Sequence, residues 1–258
     1  MTTTPAAPVH AQLSMDQGVA TLTIANAKSM NILSTPVIEE LTGALSRLRE
    51  DPALRVLVLR GTGDKAFIGG ADIHEMADLT PATGERFISR LKTFCEALRR
   101  LPVPVIARLP GWCLGGGLEV AMACDLRIGS SDAHYGMPEV KVGIPSVIHA
   151  ALMPRLIGQS AATWMLLTGE IVDADTAQSW GLVHRTVPLA ALDEAVSHCA
   201  RQLAGLGPQV LRQQKALLRS WEESTLDDAI AASVSEFGRA FATGEPQAFM
   251  AEFKNRRR

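Results

Sequence analysis

The pattern of apolar and polar positions changes partway along the chain. Residues 19–25 (Val-Ala-Thr-Leu-Thr-Ile-Ala) alternate apolar and threonine positions, the period of a half-buried strand. Residues 55–60 (RVLVLR) form a continuous apolar run between charges, bounded by Gly61 and Gly63, and read as a buried strand. Residues 105–107 and 126–129 give two more. Helical periods lie between them. One covers 35–50, opened by Thr35 as N-cap with Pro36 at the first helical position. Another covers 83–100 and is closed by Pro102 and Pro104. Glycine-rich loops are expected at 61–72 and 111–117, the second opening a helix of small residues to about 124. After residue 146 strand signals become rare, with 182–187 the best candidate. Helices are expected at 146–156, 160–168, 174–180, 190–205, 208–221 and 226–242. The first part reads as α/β and the rest as mainly helical, with no internal repeat or long linker.

Composition narrows the class. A chain of 258 residues with 47% hydrophobic content can bury a sizeable core without disulfides or metal. The net charge of −2 argues against a nucleic-acid or membrane-surface partner, and no apolar run could span a bilayer. The one basic cluster, Lys254, Arg256, Arg257 and Arg258, reads locally as a solvated tail. Cys95, Cys113, Cys124 and Cys199 form no metal-type spacing and read as buried thiols in a reducing compartment. Residues 1–12 show neither a signal nor a transit pattern, so a cytoplasmic location is expected.

Four segments could carry chemistry. Gly111-Trp112-Cys113-Leu114-Gly115-Gly116-Gly117-Leu118-Glu119 follows a strand and opens a helix. Successive glycines let backbone approach a ligand, and a helix N-terminus offers unpaired N–H groups to an anion or developing oxyanion. Close helix–strand packing selects the same glycines. Glu119 lies in the first turn of an otherwise apolar helix, where it could sit beside that site or merely cap the helix. Glu139, in Met137-Pro138-Glu139-Val140, reads as a loop glutamate, by default solvated. Lys65-Ala66-Phe67-Ile68-Gly69-Gly70-Ala71-Asp72-Ile73-His74 contains a Gly-Gly-Ala-Asp turn that could present backbone N–H groups. No G-x-S-x-G elbow is present, His74-Glu75 lacks the second His of a zinc helix, and Cys113 has no neighbouring His.

Taken in order and spacing, these segments resemble the enoyl-CoA hydratase/isomerase (crotonase) family. The resemblance runs from about residue 13 to 257. Its anchors are Asn26-Ala27-Lys28-Ser29-Met30-Asn31, Ala66-Phe67-Ile68-Gly69-Gly70-Ala71-Asp72-Ile73, Gly115-Gly116-Gly117-Leu118-Glu119 and Met137-Pro138-Glu139. Leu167-Thr168-Gly169-Glu170 and Trp180-Gly181-Leu182-Val183 add to it. The resemblance implies an α/β fold, a crotonase-like spiral of ββα turns over 1–195, with a C-terminal helical trimerisation region over 196–258. It implies homotrimers, often paired into hexamers. It also implies an acyl-CoA thioester as substrate, with no separate cofactor and no metal. The oxyanion-hole N–H groups map to Ala71 and Gly116. Lys28, Ser29 and Met30 map near the CoA nucleotide, and Asp72 and Ile73 map to backbone contacts with adenine and pantetheine. Lys254 and Arg256 map near CoA phosphates, in some members those of a neighbouring subunit.

On this reading two N–H donors polarise the thioester carbonyl. Two carboxylates around one water divide the acid and base roles, because close like charges push their pKa values apart. Hydratases of the family carry both glutamates, and isomerases generally keep only the one matching Glu139. The presence of both Glu119 and Glu139 favours a hydratase. The chain departs from the family after Glu139. Gly143-Ile144-Pro145-Ser146-Val147-Ile148-His149-Ala150 is one residue shorter and lacks the usual glycines. Ser146 and His149 become candidates for lining the acyl site. Isomerase or hydratase-lyase chemistry on the same scaffold is the alternative. The lyase reading draws little support from the lone Tyr135, and a non-catalytic binding member is a further reading.

Overall fold

The computed structural model describes residues 9–256, which leaves Arg257 and Arg258 of the basic tail outside. In chain order the strands are β1 (Ala11–Asp16), β2 (Val19–Ile24), β3 (Val56–Gly61), β4 (Ala66–Ile68), β5 (Val105–Leu109), β6 (Trp112–Leu114), β7 (Leu126–Ser130), β8 (His134–Gly136), β9 (Ile171–Asp173) and β10 (Arg185–Val187). The helices are α1 (Thr35–Arg49), α2 (Ile73–Ala77), α3 (Pro81–Arg99), α4 (Gly116–Ala123), α5 (Met153–Thr168), α6 (Ala174–Ser179), α7 (Leu189–Ala204), α8 (Pro208–Glu223), α9 (Leu226–Phe241) and α10 (Glu245–Arg256). Two 3-10 turns, Pro138–Val142 and Ile148–Leu152, lie between β8 and α5.

Two sheets wind in step. The larger has the order β1-β2-β3-β5-β7-β10, and the smaller β4-β6-β8-β9. Each turn of the spiral lays one strand in each sheet: β3 then β4, β5 then β6, β7 then β8. The pairings β3–β5–β7 and β4–β6–β8 are all parallel. Parallel strands are covered on both faces, so their sequences are apolar throughout. Leu57 and Leu59 of β3 face the main core with Leu41 and Phe94. Val56 and Val58, one residue out of phase, pack with Ile106, Ile128 and α7 residues Leu192 and Val196.

Several elements differ from the sequence reading. Ala11–Asp16 pairs along its whole length with β2, but it is an exposed edge and carries no burial period to read. The expected loops at 61–72 and 111–117 contain β4 and β6, three residues each, too short to display alternation. Ser34, not Thr35, is the N-cap of α1. Thr35 is instead the first helical residue, and its N–H donates to Glu75 at 2.8 Å. The helix expected from 146 begins as a 3-10 turn, and α5 is interrupted at Gly158 (φ 78°, ψ 160°), close to the expected break. Only Arg185–Val187 of the expected 182–187 strand pairs with β7. Helix α10 was not expected, because its residues carry no clear apolar face.

Candidate functional site

Two backbone segments meet at the carboxyl ends of the small sheet. Beyond β4, Leu33 N–H donates to Gly70 O (2.9 Å), and Leu33 O accepts from Asp72 N–H (3.0 Å). Both bonds of this bridge flank Ala71, so strand alternation turns the Ala71 N–H the opposite way. Gly116 is the first residue of α4, and its N–H has no acceptor within the helix. A Cβ built on Gly116 would lie 4.0 Å from Ala71 N, so the two amides are neighbours. Packing also explains a glycine here. A Cβ on Gly117 would stand 2.4 Å from Ile68 O, so only glycine lets α4 approach β4 this closely. The packing reading of the triple glycine therefore holds at Gly117.

Glu119 is 3% exposed and does not cap its own helix. Its Oε1 accepts from Ala150 N–H at 2.9 Å. Burial pushes the carboxyl up to about 8. The Ala150 N–H works against that shift, and the charge of Glu139 adds to it. Glu139 is not in an open loop. It lies in the 3-10 turn Pro138–Val142 and is half-buried. Its Oε2 accepts from Ser146 Oγ at 2.9 Å. A Cβ on Gly115 (φ +54°) would fall 2.6 Å from Glu139 Oε1, so the bare Cα of Gly115 makes room for this carboxylate. Burial raises the Glu139 pKa, and the Ser146 hydroxyl partly offsets it.

The two carboxylates and the two amide-bearing residues line one cleft of about 550 Å³. Its walls are apolar: Met76 and Leu79, then Phe87, Ile88 and Leu91 of α3, with Val142, Ile144 and Val147 opposite. Ile73 and Lys141 stand among the lining residues. Such a cleft can hold a chain-like apolar group with a polar centre at its glutamate end.

Lys28, Ser29, Met30 and Asp72 are not among the residues that line the cleft. Lys28 Nζ pairs with Asp72 Oδ2 at 2.6 Å, which holds the Asp72 carboxyl below its ordinary range. Asp72 also caps α2 through His74 N–H. Lys28 and Ser29 are exposed and Met30 is half-buried, with Met30 O accepting from Gly69 N–H at 2.7 Å. Lys254 is exposed on α10 and does not line the cleft. Ser146 lines the cleft as expected, but the buried His149 side chain does not. Its Nε2 lies 3.3 Å from Glu96 Oε1 of α3. Tyr135 is wholly buried and outside the cleft, and burial raises the Cys113 thiol far above the reactive range. The donor to Glu119 is a backbone N–H, which has no residue-type signal in a sequence. Among the described residues no cluster of His, Cys, Asp and Glu could hold a metal.

A double-sheeted ββα spiral with a helical C-terminal region is the crotonase fold, and the cleft is lined by the segments that follow β4, β6 and β8. The comparisons agree. Residues 14–258 match the sequence model of the enoyl-CoA hydratase/isomerase family, and the chain belongs to that family. It is 33% identical over 247 residues to the crotonyl-CoA hydratase of Syntrophomonas wolfei, covering 95% of each chain. It is 32% identical over 248 residues to the short-chain-enoyl-CoA hydratase of Clostridium acetobutylicum, again covering 95% of each. The crystal structure of an enoyl-CoA hydratase from Bacillus anthracis superposes with a TM-score of 0.92 at 29% identity, covering 96% of both chains.

Proposed function

We propose that this protein is an enoyl-CoA hydratase, a hydro-lyase that adds water across the 2,3 double bond of an enoyl-CoA to give a 3-hydroxyacyl-CoA. The observation that carries the reading is the meeting, in one apolar-walled cleft, of Glu119, Glu139, Ala71 and Gly116. The relatives named as hydratases support it. On this reading the thioester oxygen accepts from the Ala71 and Gly116 N–H groups, which stabilise the enolate-like transition state. Each such donor is worth roughly 2.7–4 kcal/mol of barrier. The reading needs one proton on the pair: burial pushes Glu119 up to about 8, which makes it the acid, and Glu139 then serves as the base. A water between them gives up a proton to the ionised member and attacks carbon 3. The protonated member delivers its proton to carbon 2. Protons and charge balance over the cycle without metal or redox cofactor.

The same reading places the CoA nucleotide along Lys28, Ser29 and Met30, the pantetheine beside Asp72 and Ile73, and Lys254 within reach of CoA phosphates in an assembled oligomer. Exposed apolar residues support assembly. Leu226, Ile230, Val234, Phe237 and Phe241 make one stripe along α9. A homotrimer, or a hexamer of two trimers, would cover it through the helices of the C-terminal region.

Isomerisation of a 3-enoyl-CoA needs only Glu139, so the experiment offers both substrates. 2-Enoyl-CoAs of increasing chain length are followed by loss of conjugated thioester absorbance, and 3-enoyl-CoAs by its appearance. Hydration of the first set supports the proposal. Isomerisation of the second set without hydration of the first overturns it.

A further inference from the structure

One short segment holds both carboxylates of the cleft. Ser146 Oγ donates to Glu139 Oε2 at 2.9 Å, and four residues later Ala150 N–H donates to Glu119 Oε1 at 2.9 Å. The segment between them is tied down. Ile148 sits at φ +39°, a conformation a β-branched residue rarely adopts unless its surroundings impose it. The buried His149 side chain anchors the same turn to Glu96 of α3. Glu139 Oε1 lies on the bare Cα of Gly115 while Oε2 faces the Ser146 hydroxyl, so the carboxylate is gripped from two sides.

From this geometry we propose that Ser146 is a positioning residue, which aims the Glu139 carboxylate into the cleft and stabilises its ionised form. Its catalytic consequence rests on the hydratase reading; the hydrogen bond itself does not. A hydroxyl donor to a carboxylate is a charge-assisted bond that favours the anion over the acid. The cations of the elements around Glu139 are Lys141, Arg155 and His134, and Lys141 also lines the cleft. Lys141 of the same turn runs its side chain along Gly169. Arg155, the titratable side chain of α5, donates to Glu222 O at 2.7 Å, and His134 of β8 stacks on Trp112. Glu119 shares the cleft, and burial is what opposes ionisation of Glu139. Ser146 is therefore the side chain that favours the Glu139 anion.

The test compares wild type with Ser146→Ala and Ser146→Thr, the latter keeping the hydroxyl. The Glu139 carboxyl is titrated in unliganded protein by carbon-13 NMR, its signal assigned with Glu139→Gln. Ser146→Ala should raise the Glu139 pKa by about one unit, and Ser146→Thr should restore it. In hydration the acid limb of the kcat/KM profile should move up with Ser146→Ala. The alkaline limb should stay, because both states it connects contain an ionised Glu139. An unchanged Glu139 titration in correctly folded Ser146→Ala overturns the proposal. A wild-type protein inert toward every enoyl-CoA would sink the hydratase reading instead, and the NMR titration would still decide the role of Ser146.

Discussion

Glu119→Gln should stabilise the protein at alkaline pH while removing its hydration activity. The carboxyl is 3% exposed, and its pKa rises from an ordinary 4.5 to about 8. The folded state therefore holds a proton that the unfolded state releases between these values. The contribution of Glu119 to stability is full below pH 4.5, falls as pH rises toward 8, and levels off above it. At about 1.36 kcal/mol per pKa unit the whole shift corresponds to roughly 5 kcal/mol. Relaxation of the cleft and entry of water reduce this, so a difference of about 2–4 kcal/mol is expected. Glutamine keeps an oxygen for the Ala150 N–H and carries no charge. Urea unfolding of wild type and variant at pH 5 and pH 9 measures the effect. The stability difference, variant minus wild type, should be more positive at pH 9 by the stated amount. A difference that does not change with pH would refute the claim that burial of Glu119 governs its ionisation.

Other perturbations read other parts of the site. Gly115→Ala should lower hydration at least 100-fold, because its Cβ would lie 2.6 Å from Glu139 Oε1 and its φ of +54° disfavours any side chain; steady-state kinetics with a folding control checks this. Lys28→Ala should cost stability less than about 1 kcal/mol, since the pair with Asp72 is largely exposed on the lysine side. It should raise KM for CoA thioesters with little change in kcat if the segment carries the nucleotide. Val234→Asp with Phe237→Asp should convert an oligomer to smaller species by light scattering; a wild type that is itself monomeric would contradict the proposed assembly.

The parts of the site that follow from residue type were legible in the sequence. Glu119 was readable as a carboxylate in an apolar helix, Glu139 alone read as a solvated loop residue, and the triple glycine marked a close backbone approach. Only the family resemblance singled out Ala71 and Gly116, since neither residue has a side chain that signals its use. What stayed hidden depends on tertiary contact. The Ala150 N–H that holds Glu119 could be any residue's amide, and the anchoring of His149 by Glu96 joins positions 53 apart. Likewise β1 is an edge strand held by pairing with β2 rather than by burial, so hydrophobic period could not announce it. Short strands β4, β6 and β9 exist because neighbouring turns of the spiral present partners, not because three residues prefer extension.

The central claim is that Glu119 and Glu139 together hydrate an enoyl thioester. Its most direct test follows loss of conjugated absorbance from crotonyl-CoA with wild type, Glu119→Gln and Glu139→Gln at matched concentrations. The account predicts turnover by wild type and a fall of about two orders of magnitude or more for each variant, as for loss of an acid–base group. Turnover by Glu119→Gln at the wild-type rate, or no turnover by wild type, would contradict it.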